Sequence, residues 1–215
     1  MDIDPRTLSP ADRYKLLIGA IIPRPIAFVS TCSPDGHFTN LAPFSFFNGA
    51  SASPMVVLFC PANRPDGGEK DTLRNAKPPA EGGQGEFVIN IVHESFARAM
   101  AACAEPLPYG ESEFAAFGFA PVASTTVRPP RVGESPLSLE CRTLQVVRLA
   151  PGVPGGGNVV MGEVLHVHAH AGVVSDRLHV DPARLGTIGR AGGKGYVRTT
   201  DRFEMPSGRE AQTGS

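Results

Sequence analysis

No stretch of this chain approaches the roughly 18 consecutive apolar residues that cross a bilayer as a helix. The first ten residues, MDIDPRTLSP, show no basic region followed by an apolar core, so neither a secretory signal nor a membrane role is expected, and a cytoplasmic location is. Tryptophan is absent, and the four cysteines (Cys32, Cys60, Cys103, Cys141) form no CxxC pair. Such scattered thiols read as reduced side chains packed as small hydrophobes. A thiol nucleophile or a zinc site would need a base or further ligands that the spacing does not supply. Charge of one sign is lacking too: 20 basic against 21 acidic side chains leave a net charge of -1. That balance gives no electrostatic reason to expect nucleic acid or an anionic membrane.

Glycine (24) and proline (21), by contrast, are abundant and spread along all 215 residues, with short apolar runs between them. Many short strands joined by turns make that pattern; long helices do not. Strands are expected at Pro25–Thr31, Phe38–Phe44, Met55–Cys60, Glu86–Val92, Leu137–Leu149 and Val159–Val174. Helices are expected at Ala11–Gly19, at Ser95–Ala104 with Ser95 as N-cap, and at Glu111–Phe117. ANRPDGGEK and KPPAEGGQGE read as exposed loops, and PGVPGGGN as a mobile hairpin tip. The expected architecture is mainly β: one antiparallel barrel with a few peripheral helices over residues 1–205, then a frayed tail over 206–215.

Several motifs invite a chemical reading. GRAGGKGY (189–196) is not a Walker loop: Ile188 stands where the first glycine belongs, and Gly195 where Ser or Thr is required. The run HVHAHAG puts His166, His168 and His170 on one face of a strand. Same-face neighbours lie about 7 Å apart, long for three ligands on one ion. One histidine facing a bound cofactor, with the others solvated or hydrogen-bonded, is the better reading.

EKDTLRN (69–75) follows a glycine-rich loop and holds Lys70, one of only four lysines. Lys70, Asp71 and Thr72 could hold a phosphate with ammonium, hydroxyl and free backbone N–H groups, or could form an ordinary helix start. PRPIAFVSTCSPDGHFTNLAPFSFF (23–47) shifts that balance. Its two strands bring Ser30 and Thr31 and the run from Asn40 to Phe47 to one mouth. Asn40 and Ser45 offer polar groups, Ala42 and Pro43 leave room for a flat ring, and Phe46 and Phe47 can line its edge. A large planar ligand carrying a phosphate suits such a site; flavin mononucleotide (FMN) fits, and other ligands are not excluded.

At this point the chain resembles the flavin reductase-like family, whose fold is the FMN-binding split barrel. The resemblance rests on LLIGAIIPRPIAFVSTCSPDGHFTNLAPFSFFN, EKDTLRN, GEFVINIV, ESEFAAFGF, PRVGESPLSLEC, GEVLHVHA and GRAGGKGYVRT, which occur in the family order. It implies a homodimer with FMN near the subunit interface. It also implies Arg24, Thr31 and Lys70-Asp71-Thr72 around the ribityl phosphate, and Asn40, Ala42, Ser45, Phe46 and Phe47 beside the isoalloxazine with Cys60 nearby. Arg190 and Tyr196 match the family's late Arg–Gly-Gly–Tyr motif, and His168 its strand histidine, here assigned to orientation. The implied activity is hydride transfer from NAD(P)H to flavin, then to free flavin, oxygen or a partner monooxygenase. A flavoredoxin-like FMN electron carrier and a flavin-binding module without turnover stay open as alternatives.

Overall fold

The computed structural model describes residues 1–213. Helix α1 (Pro10–Ala20) comes first, capped by the Ser9 hydroxyl, which accepts from the Asp12 N–H at 3.1 Å. Strands β1 (Ala27–Cys32), β2 (Thr39–Phe44), β3 (Phe47–Ala52) and β4 (Met55–Phe59) follow. After α2 (Asp71–Ala76) come β5 (Glu86–Ile91), α3 (Ala97–Ala102), α4 (Glu113–Phe117) and the short pair β6 (Pro121–Val122) and β7 (Arg131–Val132). The long strands β8 (Leu137–Arg148) and β9 (Asn158–Ala169) precede α5 (Pro182–Leu185), β10 (Ile188–Arg190), β11 (Tyr196–Arg198) and α6 (Glu210–Thr213). The expectation of a frayed tail extends to residues 214 and 215, which lie outside the described residues.

Seven strands form one antiparallel sheet in the order β2-β1-β5-β8-β9-β4-β3. Its two edge strands are neighbours in sequence: β2 ends at Phe44 and β3 begins at Phe47. Three residue steps reach at most about 11 Å, so the opposite edges of the sheet meet there. The sheet is therefore curled into a barrel, split where β2 and β3 face each other without pairing. Two bulges, between Glu140 and Cys141 and between Thr143 and Gln145, add local twist to the long β8–β9 pair.

Both faces of the central strands are covered. Ala27, Val29, Phe59, Phe87, Ile89, Leu139, Cys141 and Val160 fill the inside, where α2 contributes Leu73 and Ala76. Phe28, Leu41, Val92, Phe96, Met100, Phe114 and Val132 form an outer cluster under α3 and α4. Burial on both faces explains why β1 is buried at every residue.

β3 was not expected, because FNGASA is poor in β-branched and aromatic residues. It forms as a largely exposed edge strand that, among the described residues, pairs only with β4. β9 ends at Ala169, before the expected Val174, and the chain then turns through residues 170–173. Ser95 is not a cap but lies inside a 3-10 turn, where its N–H donates to the His93 ring at 3.0 Å. The 62–70 loop, ANRPDGGEK, is not wholly exposed either. Asn63 is buried and its amide donates to the carbonyls of Ala150 and Val153, both at 3.0 Å.

Candidate functional site

Beside β2 lies a cleft of about 430 Å³, lined by Asn40, Ala42, Pro43, Phe44, Arg64, Lys70, Asp71 and Thr72 among others. The 103–107 segment and Glu113 complete the lining. Six residues singled out in the sequence, Asn40, Ala42, Pro43, Lys70, Asp71 and Thr72, thus share one cavity.

The turn into α2 shapes its charge. Glu69 accepts from Lys77 at 2.9 Å and from Arg148 at 2.8 Å, while Asp71 pairs with Arg64 and, at 3.5 Å, with Arg74. Both carboxylates flanking Lys70 are therefore taken by other cations, and Lys70 forms no ion pair among the described residues. Its ammonium leans over the Phe44 ring, 5.9 Å from the centroid. Local burial, and secondarily the Arg64 charge, push its pKa down. An uncompensated ammonium at a cleft wall attracts an anion. Beside it Asn40 donates its amide to the Thr72 hydroxyl at 2.9 Å, tying β2 to α2.

The segment leading into α4 is pinned to β2. Thr39 and Ser112 hydroxyls meet at 2.7 Å, and Glu113 accepts the Leu41 N–H at 2.7 Å. Tyr109 stacks under Arg74, whose guanidinium lies 3.9 Å from the ring centroid, and its ring is 6.0 Å from that of Phe38. Gly110, at φ +100, leaves room there: a Cβ would meet the Phe38 ring at 3.3 Å.

A second group gathers where the chain crosses from β2 to β3. Arg24 is buried and donates to the carbonyls of Ile18 at 2.5 Å, Ile21 at 2.7 Å and Ala191 at 3.1 Å, and to the Ser45 hydroxyl at 3.3 Å. Its guanidinium lies 6.0 Å from the Phe46 centroid. Backbone bonds of 2.9 and 2.8 Å join Arg24 to Arg190, which stacks on Tyr196 at 4.5 Å. Cys60 is half-buried and its N–H donates to the Phe46 carbonyl at 2.9 Å. Phe47 packs against the inner core cluster.

The remaining expected residues lie elsewhere. Ser30 is fully buried and donates to the Pro130 carbonyl at 2.5 Å. Thr31, equally buried, accepts from the Asn75 amide at 3.1 Å. His168 meets Glu140 at 2.5 Å and does not line the cleft. Burial alone would raise the Glu140 carboxyl. Bonds from the Thr126 hydroxyl, the Thr125 and Thr126 amides and His168 overcome that and bring it down to about 2. The His166 and His168 rings stand 4.4 Å apart. Among the described residues, no three His, Cys, Asp or Glu side chains converge as metal ligands, and no helix is long and apolar enough to cross a membrane.

Arg64, Glu105 and Glu113 are the charged lining residues that sequence reasoning missed. Arg64 sat in a loop read as exposed, Glu105 lay just beyond the expected helix Ser95–Ala104, and Glu113 lay within the expected helix Glu111–Phe117. Nothing local to any of them shows that they line one cleft.

The profile of the flavin reductase like domain matches residues 19–186. The chain belongs to the flavin reductase-like family. An uncharacterised protein of Deinococcus radiodurans is 38% identical over 208 residues, covering 94% of this chain and 87% of its own. Nitrilotriacetate monooxygenase component B from Bacillus cereus superposes with a TM-score of 0.87 at 32% identity, over 95% of this chain and 98% of that one. The 2-nitrobenzoate 2-nitroreductase NbaA of Pseudomonas fluorescens gives 0.81 at 29% identity, covering 97% of each chain. Membership in the flavin reductase-like family supports a flavin cofactor and an oxidoreductase role, and the curled, split sheet is this family's barrel.

Proposed function

We propose that the β2 cleft binds FMN and that the protein is an NAD(P)H-dependent flavin reductase. The observation that carries this reading is the unpaired Lys70 ammonium beside the Thr72 hydroxyl, on the wall of a cleft whose floor is the small-residue edge at Ala42 and Pro43. That donor set fits a phosphate monoester: an ammonium with no ion-pair partner among the described residues, and a hydroxyl lining the same cleft. Asn40, held by Thr72, keeps the edge strand and the phosphate turn in register. Ala42 and Pro43 leave the backbone open to a flat ring, and Phe44 supplies an apolar surface.

The chemistry a bound flavin supplies is two-electron transfer between a nicotinamide donor and an acceptor. No side-chain acid or base of the cleft is required for it. The chain's own contribution is to bind, orient and keep water off one side of the ring. Free flavin, oxygen or a partner monooxygenase is the proposed acceptor, and the cytoplasm the proposed location. A homodimer is proposed as the functional form. Exposed Leu16, Leu17, Ile21 and Ile22 at α1 and Leu165 and Val167 on β9 support it, because a self-complementary interface would cover them.

The test is spectroscopic. Purified protein titrated with FMN should bind about one flavin per chain and then oxidise NADH or NADPH when free flavin is supplied. Flavin binding without nicotinamide oxidation would leave a carrier; no flavin binding would remove the reading.

A further inference from the structure

Residues 103–112 link α3 to α4, and residues 103–107 of this strap line the β2 cleft. Both ends of the strap are fixed. Cys103 is 1% exposed in the outer core cluster, and the Ser112 hydroxyl meets that of Thr39 at 2.7 Å. Between those ends the backbone is not tied down. The Glu111 N–H donates to the Pro108 carbonyl at 3.0 Å, inside the strap. Among the described residues, no backbone hydrogen bond runs from residues 106–111 to the rest of the chain. Pro106 and Pro108 have no N–H to offer one.

A side chain holds the middle instead. The Arg74 guanidinium lies 3.9 Å from the centroid of the Tyr109 ring, whose other aromatic neighbour, Phe38, is 6.0 Å away. Arg74 belongs to α2. Asp71, which holds it at 3.5 Å, also pairs with Arg64 of the cleft lining. Tyr109 is 43% exposed, and Glu105, Pro106 and Pro108 are exposed as well. A segment with fixed ends, few buried apolar contacts and no outgoing backbone bond opens locally at low cost.

We propose that residues 104–111 are a gate on the β2 cleft, latched by Tyr109 on Arg74. Opening takes Glu105, Pro106 and Leu107 out of the cleft lining and uncovers the Cys103 thiol at the start of the strap. A cation–π contact at an exposed site is comparable to thermal energy, so the latch releases while the ends stay in place. The gate is a property of the free chain. Its bearing on FMN rests on the flavin reading above, and the two are tested by separate measurements.

Cys103 is a built-in reporter, and Cys141, 0% exposed in the inner core and outside the cleft lining, is its control. Alkylation of the full chain by iodoacetamide, followed at each thiol by peptide mass spectrometry, compares them. In Tyr109→Ala the Cys103 rate should rise roughly fivefold while that of Cys141 stays constant. Tyr109→Phe keeps the ring and should match wild type. An unchanged Cys103 rate in Tyr109→Ala overturns the proposal. So does an equal rise at both thiols, which would make Tyr109 a brace of the whole fold, or a phenylalanine variant as fast as the alanine one. Stopped-flow mixing with FMN should show faster association and faster release in Tyr109→Ala, because a gate acts on passage in both directions. Faster release alone would make the strap only a wall of the site, and overturns the gate. A wild type that takes up no FMN removes the flavin reading instead, and the alkylation rates still decide the gate.

Discussion

The Asn40 amide and the Thr72 hydroxyl, 2.9 Å apart and both buried, form a side-chain hydrogen bond that ties the free edge of β2 directly to α2 beside Lys70. Edge strands left without cover fray or pair with other chains. Here the link holds the edge against α2 while leaving the cleft open beside it.

Thr72→Val keeps the shape of the side chain and removes the oxygen. The Asn40 amide then loses its acceptor in a buried place, which costs about 1–3 kcal/mol. Urea unfolding should show that loss, and FMN affinity should fall with it because the phosphate turn is no longer fixed to the strand.

Arg24 gives the opposite separation. Its guanidinium is committed to three carbonyls and Ser45, so it braces α1, the β10–β11 hairpin and the β2–β3 crossing. Arg24→Lys cannot reproduce that fork, and a loss of about 2–4 kcal/mol in unfolding free energy is expected. The preference for FMN over riboflavin should survive. A collapse of that preference at unchanged stability would put Arg24 at the phosphate instead.

Acid stability should report Glu140. Its carboxyl titrates at about 2 when folded, against an ordinary value of 4.5. The stabilisation it provides is complete above the ordinary value and is lost as pH falls from there toward 2. Urea midpoints should decline across that window, and Glu140→Gln should flatten the decline. Glu113 acts with the other sign: burial raises its carboxyl, with the Leu41 N–H opposing. Its ionisation therefore costs stability as pH rises above the ordinary range, a cost that Glu113→Gln removes.

Much of this was readable beforehand where local pattern and tertiary role agree. The strand in PIAFVST, the glycine-rich turn before EKDTLRN and the small residues of NLAPF all mark features that the structure keeps together. β3 was hidden because an exposed edge strand needs no apolar alternation, and FNGASA has none. His168 followed its period-two spacing, but its partner, Glu140, lies 28 residues away, and only the β8–β9 pairing brings them together. The Glu113 contribution to the cleft was equally hidden: it meets Leu41 across 72 residues, and short-range spacing carries no trace of such a contact.

Nicotinamide reactivity separates a reductase from an electron carrier. Anaerobic mixing of the FMN-loaded protein with NADH or NADPH should bleach the flavin absorbance within seconds. His168→Ala should leave that rate unchanged in a protomer-contained site, because His168 is held by Glu140 away from the cleft. Reduction that takes hours with both nicotinamides, while dithionite acts at once, would identify a carrier.

The measurement closest to the central claim compares FMN with riboflavin on wild type and Lys70→Ala. An unpaired ammonium that holds the phosphate should contribute about 1.5–3 kcal/mol to FMN binding and nothing to riboflavin. FMN affinity should therefore fall by that amount in the variant while riboflavin affinity stays constant. Equal losses for both ligands, or no loss for FMN, would contradict a phosphate at Lys70.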